Sequence, residues 1–150
     1  FANKLKRSCM NEWAALGKDG SHVIGIFCVS MRDNGKLHIE EAKLCLMNSH
    51  FIPSDSFYEV IMANHLINND RSFLKPLRNW NNTGYMPDYV LLDTYLECVV
   101  EVWGLNSPEY LSRRNTKTIF YKNKEYILIQ WEPSLQNIDE IVFPSKRVDY

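Results

Sequence analysis

The sequence predicts a mixed α/β fold, an α+β arrangement with a central mixed sheet flanked by helices and preceded by an N-terminal β-hairpin. Three observations carry that expectation. Apolar runs of strand length recur at 22–31, 36–46, 86–92, 98–104 and 126–131. Two longer segments, 56–68 and 108–122, open instead on helix-start signals. The resulting order, β-β-α-loop-β-β-α-β, suits one mixed sheet with helices packed on it.

Composition narrows the class. At 150 residues the chain fits a single domain (1–150) able to bury a real core, with that core at about 50–131. A helical lead-in is expected at 1–20 and a tail at 132–150. Hydrophobic residues make up 45%, with six Gly and six Pro, as in ordinary globular proteins. A net charge of −1 excludes a surface basic all over, so any grip on nucleic acid has to come from a local patch or another domain. The four cysteines form no CxxC pair and no zinc spacing. Cys28, Cys45 and Cys98 lie in apolar runs and read as buried thiols, which suits a reducing cytoplasm. No stretch approaches the ~18 apolar residues of a membrane span. The first residue is Phe1, so an excised or processed piece is expected.

Each element has its own signal. A short helix over about residues 2–16 would end at Gly17, with Asp19-Gly20 as a turn. Strands His22 to Met31 and Lys36 to Leu46 are joined through Asn34-Gly35, the strongest hairpin cue in the chain. Ser56 as N-cap with Glu59 at N3 forms a capping box, and Phe57, Val60, Ile61, Leu66 and Ile67 continue a helix to about Asn68. Residues 69–86 read as a long connection, locally basic (Arg71, Lys75, Arg78) with aromatics interleaved (Phe73, Trp80, Tyr85). That mixture suits single-stranded or distorted nucleic acid, and equally a solvated loop with anchoring rings. Ser107, Pro108 and Glu109 start a helix on which Tyr110, Arg113, Arg114, Lys117 and Tyr121 form one cationic and aromatic stripe. Tyr126 to Trp131 is a last strand, followed by a short helical turn around Ile138 to Phe143. His50 and His65 have no nucleophile partner at an interpretable spacing and read as structural.

The middle of the chain carries the candidate chemistry. Met86 to Leu92 and Cys98 to Gly104 are apolar strands that each hold one acid, Asp88 and Glu101. A carboxylate inside such a run is costly to bury unless a cation meets it. If the strands form a hairpin with an even loop (Thr94-Tyr95, or the better suited Asp93 to Leu96), the two acids stand directly opposite, Cβ atoms roughly 5 Å apart. An odd loop sends them to opposite faces. The bland alternative is that Asp88 merely starts a strand after Pro87 and Glu101 lies near an exposed end. Glu59 has two roles open to it as well: cap of its own helix, favoured by spacing, or a third acid facing the pair.

These residues resemble the PD-(D/E)XK superfamily of nucleases, the restriction-endonuclease-like fold. Pro87-Asp88 looks like its first acidic motif, Glu101-Val102-Trp103 its second, and Glu59 the acid often carried on its first core helix. Together with Phe73 to Leu77, Gly104, Tyr110, Arg113 and Lys117, they look like an uncharacterised bacterial branch associated with plasmids and integrative elements. A looser similarity is to very-short-patch-repair endonucleases. The resemblance covers about residues 50–131 and departs at one point: the motif lysine, two residues after the second acid, is Trp103. Lys117, Arg113 or Arg114 on the following helix would replace it, with Lys75 next in line.

That resemblance implies a Mg²⁺- (or Mn²⁺-) dependent endonuclease acting on DNA in a bacterial cytoplasm, within a larger system of subunits or domains. It implies a metal held by Asp88, Glu101 and the backbone carbonyl of Val102, with Glu59 completing the shell or orienting water. Lys117 would act as catalytic cation, and Lys75, Tyr110, Arg113 and Arg114 would contact DNA. Two alternatives stay open: a catalytically inactive module of the same fold that binds DNA or a protein, and a hydrolase of small phosphoesters.

Overall fold

The computed structural model describes residues 9–78 and 84–148. The start of the lead-in helix and Trp80 lie outside them. The chain divides into two compact units, one ending at Ile61 and the other beginning at Met62.

The first unit holds α1 (Met10–Ala15), a 3-10 turn (Lys18–Gly20), β1 (His22–Met31), β2 (Leu37–Met47) and β3 (Pro53–Ser54). The division falls inside α2 (Phe57–Asn68). β1 and β2 form the expected antiparallel hairpin. Its turn closes through Gly35 N–H donating to the Arg32 carbonyl at 2.8 Å and Arg32 N–H to that of Lys36 at 3.0 Å. Gly35 takes a φ of +74°, a conformation that costs a residue without Cβ little. The register shifts between Cys28 and Val29, and Ser30 donates to the Glu40 carboxylate there. Ala15, Leu46 and Val60 make the core, with Val23 and Phe57 against it.

Only the base of this hairpin is covered. Ala42, Leu46 and Met47 are buried, whereas Phe27, Val29, Met31 and Leu37 are exposed. Cys28 and Cys45 are therefore exposed thiols rather than buried ones; Cys98 is buried as expected. Alternation in a sequence identifies a strand but not which stretch of it lies over a core.

The second unit holds β4 (Phe73–Leu74), β5 (Tyr89–Leu91), β6 (Cys98–Val102), α3 (Pro108–Asn123), β7 (Ile127–Trp131) and a 3-10 turn (Ile138–Glu140). Its sheet runs β4-β5-β6-β7. The first two pairings are antiparallel and β6–β7 is parallel, so α3 is the crossover that a parallel pair requires. Every residue of β6 is buried, which is why the strand reads as a continuous apolar run. Val90, Val99 and Tyr121 form the core, with Phe120, Tyr126 and Leu128 packed on it. Burying each such side chain contributes roughly 1.5–3 kcal/mol.

Two expectations change. The N-terminal hairpin forms its own sheet, β1-β2-β3, which also takes in the short strand β3 after it, and the central mixed sheet is β4-β5-β6-β7; β3 was not expected, because apolar runs mark strands without marking their partners. The 69–86 connection also contains β4, whose Phe73 and Leu74 pair with Leu91 and Val90. Two residues are too few to show a period.

The segment joining β5 and β6 is anchored rather than loose. Arg71 donates to both oxygens of Asp93, at 2.7 and 2.8 Å, and to the Pro144 carbonyl at 2.8 Å. Burial alone would raise the Asp93 pKa, but the Arg71 hydrogen bonds and charge, with the Ser72 N–H, hold it below the usual aspartate value.

Candidate active site

Tyr89 pairs with Val100, Val90 with Val99 and Leu91 with Cys98. That ladder, which ends at Tyr89–Val100, has the register an even loop demands; Asp88 immediately precedes β5 and Glu101 follows Val100 on β6. The connection runs from Leu92 to Glu97, even and longer than a two-residue turn. Asp88 is half-buried and Glu101 is 1% exposed. The Asp88 carboxylate accepts a hydrogen bond from the Val102 backbone N–H at 2.7 Å, which ties it to the strand carrying the other acid.

Glu101 is met by a cation from α3. The Lys117 ammonium lies 2.6 Å from Glu101 Oε1 and 2.7 Å from Oε2. It also donates to the Met86 carbonyl at 2.9 Å, so a single Nζ bridges the two acid-bearing segments. The Tyr121 hydroxyl donates to Glu101 Oε1 at 2.8 Å. Burial pushes the Glu101 carboxyl above the usual range, while Lys117, Tyr121 and the charge of Lys75 pull it back. The Tyr121 phenol is driven far up, first by burial, then by Glu101 and then by Asp88.

Local sequence explains why α3 delivers that cation. Ser107 caps the helix, its Oγ accepting from Tyr110 N at 3.3 Å, and Pro108 occupies the first turn. The helix begins a few residues after β6; its first turn reaches Val102 through Tyr110, and its later turns reach Glu101 through Lys117 and Tyr121. Tyr110, Arg114, Lys117 and Tyr121 recur at helical spacing and share one face. All four are buried or half-buried, and Arg113 is exposed beside them. The Tyr110 hydroxyl donates to the Val102 carbonyl at 3.2 Å, and Arg113 lies 5.6 Å from the Tyr110 ring. Arg114 pairs with Glu132, whose pKa is lowered chiefly by that hydrogen bond. Lys75 stands 5.0 Å from the Tyr89 ring.

Trp103 occupies the position at which the resemblance leads to the expectation of a lysine. Its side chain is 4% exposed. Lys117 and Arg114 lie 5.6 and 5.3 Å from its ring.

Glu59 belongs to the first unit, where it completes the capping box. Asp55 N–H donates to its Oε2 at 3.1 Å, Ser56 Oγ to its Oε1 at 3.1 Å, and its own N–H to Ser56 Oγ at 3.2 Å. The sequence placed Tyr121 on the cationic stripe without singling it out as a site residue. Its offset of i+4 from Lys117 was the available signal, since such positions share a helix face.

Among the described residues no three His, Cys, Asp or Glu side chains gather as a metal cluster. The candidate ligand oxygens are the two carboxylates and the Val102 carbonyl, each of which already accepts a hydrogen bond from the chain. As a donor set they fit a small hard cation that accepts one or two carboxylates and keeps most of its waters. No helix among the described residues is long and apolar enough to cross a membrane.

Compared with known proteins, residues 2–134 match the family described as Protein of unknown function (DUF1173). No curated protein and no solved structure matches the chain.

Proposed function

We propose that this chain, which belongs to the DUF1173 family of proteins of unknown function, is a Mg²⁺-dependent endonuclease-like domain that hydrolyses DNA phosphodiester bonds beside Asp88 and Glu101. The observation carrying this reading is the position of Lys117, whose ammonium lies within 2.7 Å of Glu101 although it comes from another element. A nuclease centre needs two hard acids and a cation for the phosphate, and one side chain from α3 meets the second need.

Asp88, Glu101 and the Val102 carbonyl would hold the divalent ion, which supplies charge to the scissile phosphate and lowers the pKa of an attacking water. The chain's own residues divide the remaining work. Lys117 stands where an ammonium would face charge developing on phosphate oxygens, an electrostatic contribution that often dominates such reactions. Exposed Arg113 with half-buried Tyr110, and Lys75 beside Tyr89, would line the approach of the DNA strand. In a protein of net charge −1, that local cationic face is where a polyanion would settle.

The test is plasmid nicking in Mg²⁺ or Mn²⁺ with wild type, Asp88→Ala and Glu101→Ala. Cleavage is expected from the wild type and from neither variant. Full activity in both variants would remove the assignment.

One observation favours a second reading, a catalytically inactive module of the same fold that binds DNA or a protein. Glu101 is almost wholly buried, and Lys117 and Tyr121 engage its oxygens as a self-contained ion pair. Calorimetric titration separates the two. Heat from millimolar Mg²⁺ or Mn²⁺ that disappears in Asp88→Ala supports the enzyme, and no heat supports the inactive module.

A further inference from the structure

Trp103 follows Glu101 by two residues, so both side chains leave the same face of the sheet, the face on which α3 brings Lys117. We propose that Trp103 is a positioning residue that seats Lys117: the indole on β6 fixes where the ammonium from α3 stands. This deepens the reading above and rests on its assignment of Lys117 as the cation of the site.

The ammonium is met from several sides. Both Glu101 oxygens lie within 2.7 Å of it and the Met86 carbonyl accepts from it at 2.9 Å, and it stands over the Trp103 ring, 5.6 Å from the centroid. An aromatic quadrupole attracts a cation at that distance, most strongly where water is excluded.

The ring itself is immobilised. Its Nε1–H donates to Gln130 Oε1 at 3.1 Å. Its backbone N–H donates to the Trp131 carbonyl at 2.8 Å, and Tyr110 meets it edge-on at 6.0 Å. Arg114, one turn before Lys117, lies against the same ring. A lysine at position 103 would meet two cations already in place and repel both. The aromatic residue is thus the counterpart of a cation supplied from the helix, and an aliphatic side chain of similar bulk would lack the attraction.

Two measurements on the intact chain test this without reference to cleavage. In the wild type, ring current should move the Lys117 ε-CH₂ proton resonances upfield of those of Lys122 and Lys124. Resonances coincident with theirs would overturn the proposal. In trace amine acetylation read by mass spectrometry, Trp103→Leu should raise Lys117 labelling by about 5- to 30-fold relative to Lys122, with Trp103→Phe in between. Unchanged Lys117 labelling in a folded Trp103→Leu variant would also overturn it, and if that variant does not fold, the wild-type resonances decide. A seated Lys117 in a protein that never cuts DNA would sink the nuclease reading alone. A nuclease whose Lys117 is unshifted would sink this one alone.

Discussion

Replacing Lys117 by Met removes the ammonium but keeps an unbranched stem of similar reach. Among the described residues, Glu101, 1% exposed, then keeps the Tyr121 hydroxyl as its side-chain hydrogen-bond donor, with the Lys75 charge nearby. Breaking a buried ion pair from one side costs about 3–5 kcal/mol, because a charge is left in low dielectric without its partner. The lysine end of this pair is 20% exposed, so water reaches part of the site and the lower limit, about 3 kcal/mol, applies. Glu101→Gln leaves the ammonium, which can turn toward solvent, and should cost about 1–2 kcal/mol. The double variant removes both charges and keeps an amide oxygen to accept from Tyr121. It should cost about 2–3 kcal/mol less than the two single variants added together. Urea unfolding at neutral pH in EDTA, followed by circular dichroism, measures all three. A cost below about 1 kcal/mol for Lys117→Met, or strict additivity, would refute the reasoning that the pair holds this centre together.

Two further perturbations probe other parts of the molecule. Asp93 has its pKa held below the ordinary aspartate value of 3.8, so its carboxylate contributes stability above that pH and loses it as pH falls through the depressed folded value. Asp93→Asn should be less stable at neutral pH and should flatten the acid limb of the stability profile below the ordinary aspartate value. A variant as acid-sensitive as the wild type would contradict this. Ser56→Ala should cost about 1 kcal/mol in unfolding free energy by removing the α2 cap, with plasmid nicking unchanged. A loss of nicking would implicate the Ser56–Glu59 box in more than capping.

The register of β5 on β6 was legible because strand alternation and loop parity are local rules: an even connection allows one outcome. The start of α3 was legible for the same reason, Ser107 and Pro108 being short-range signals. The reach of Lys117 followed from the helix period combined with a brief link from β6. What stayed hidden depends on contacts distant in sequence. Nothing in the alternation of β1 and β2 says that Cys28 and Cys45 lie beyond the covered base of the hairpin. Two residues at Phe73 and Leu74 carry no period, so β4 is visible only through its partner β5. Tyr121 looked like one more member of a surface stripe. Its burial against Glu101 is set by the sheet that α3 packs on.

The parallel pairing of β6 with β7 has a consequence of its own. A parallel pair obliges the chain to return through a crossover, so Glu101, Trp103, Lys117 and Tyr121 all lie on one strand–helix–strand segment, with Gln130 on the returning strand. Apart from Asp88 and Met86, which precede β5, the centre and its scaffold share one covalent stretch and are expected to form, or come apart, in a single cooperative event. Hydrogen-exchange protection along β6, α3 and β7 should therefore vanish together on heating, leaving no temperature at which the fold persists with its chemistry dismantled.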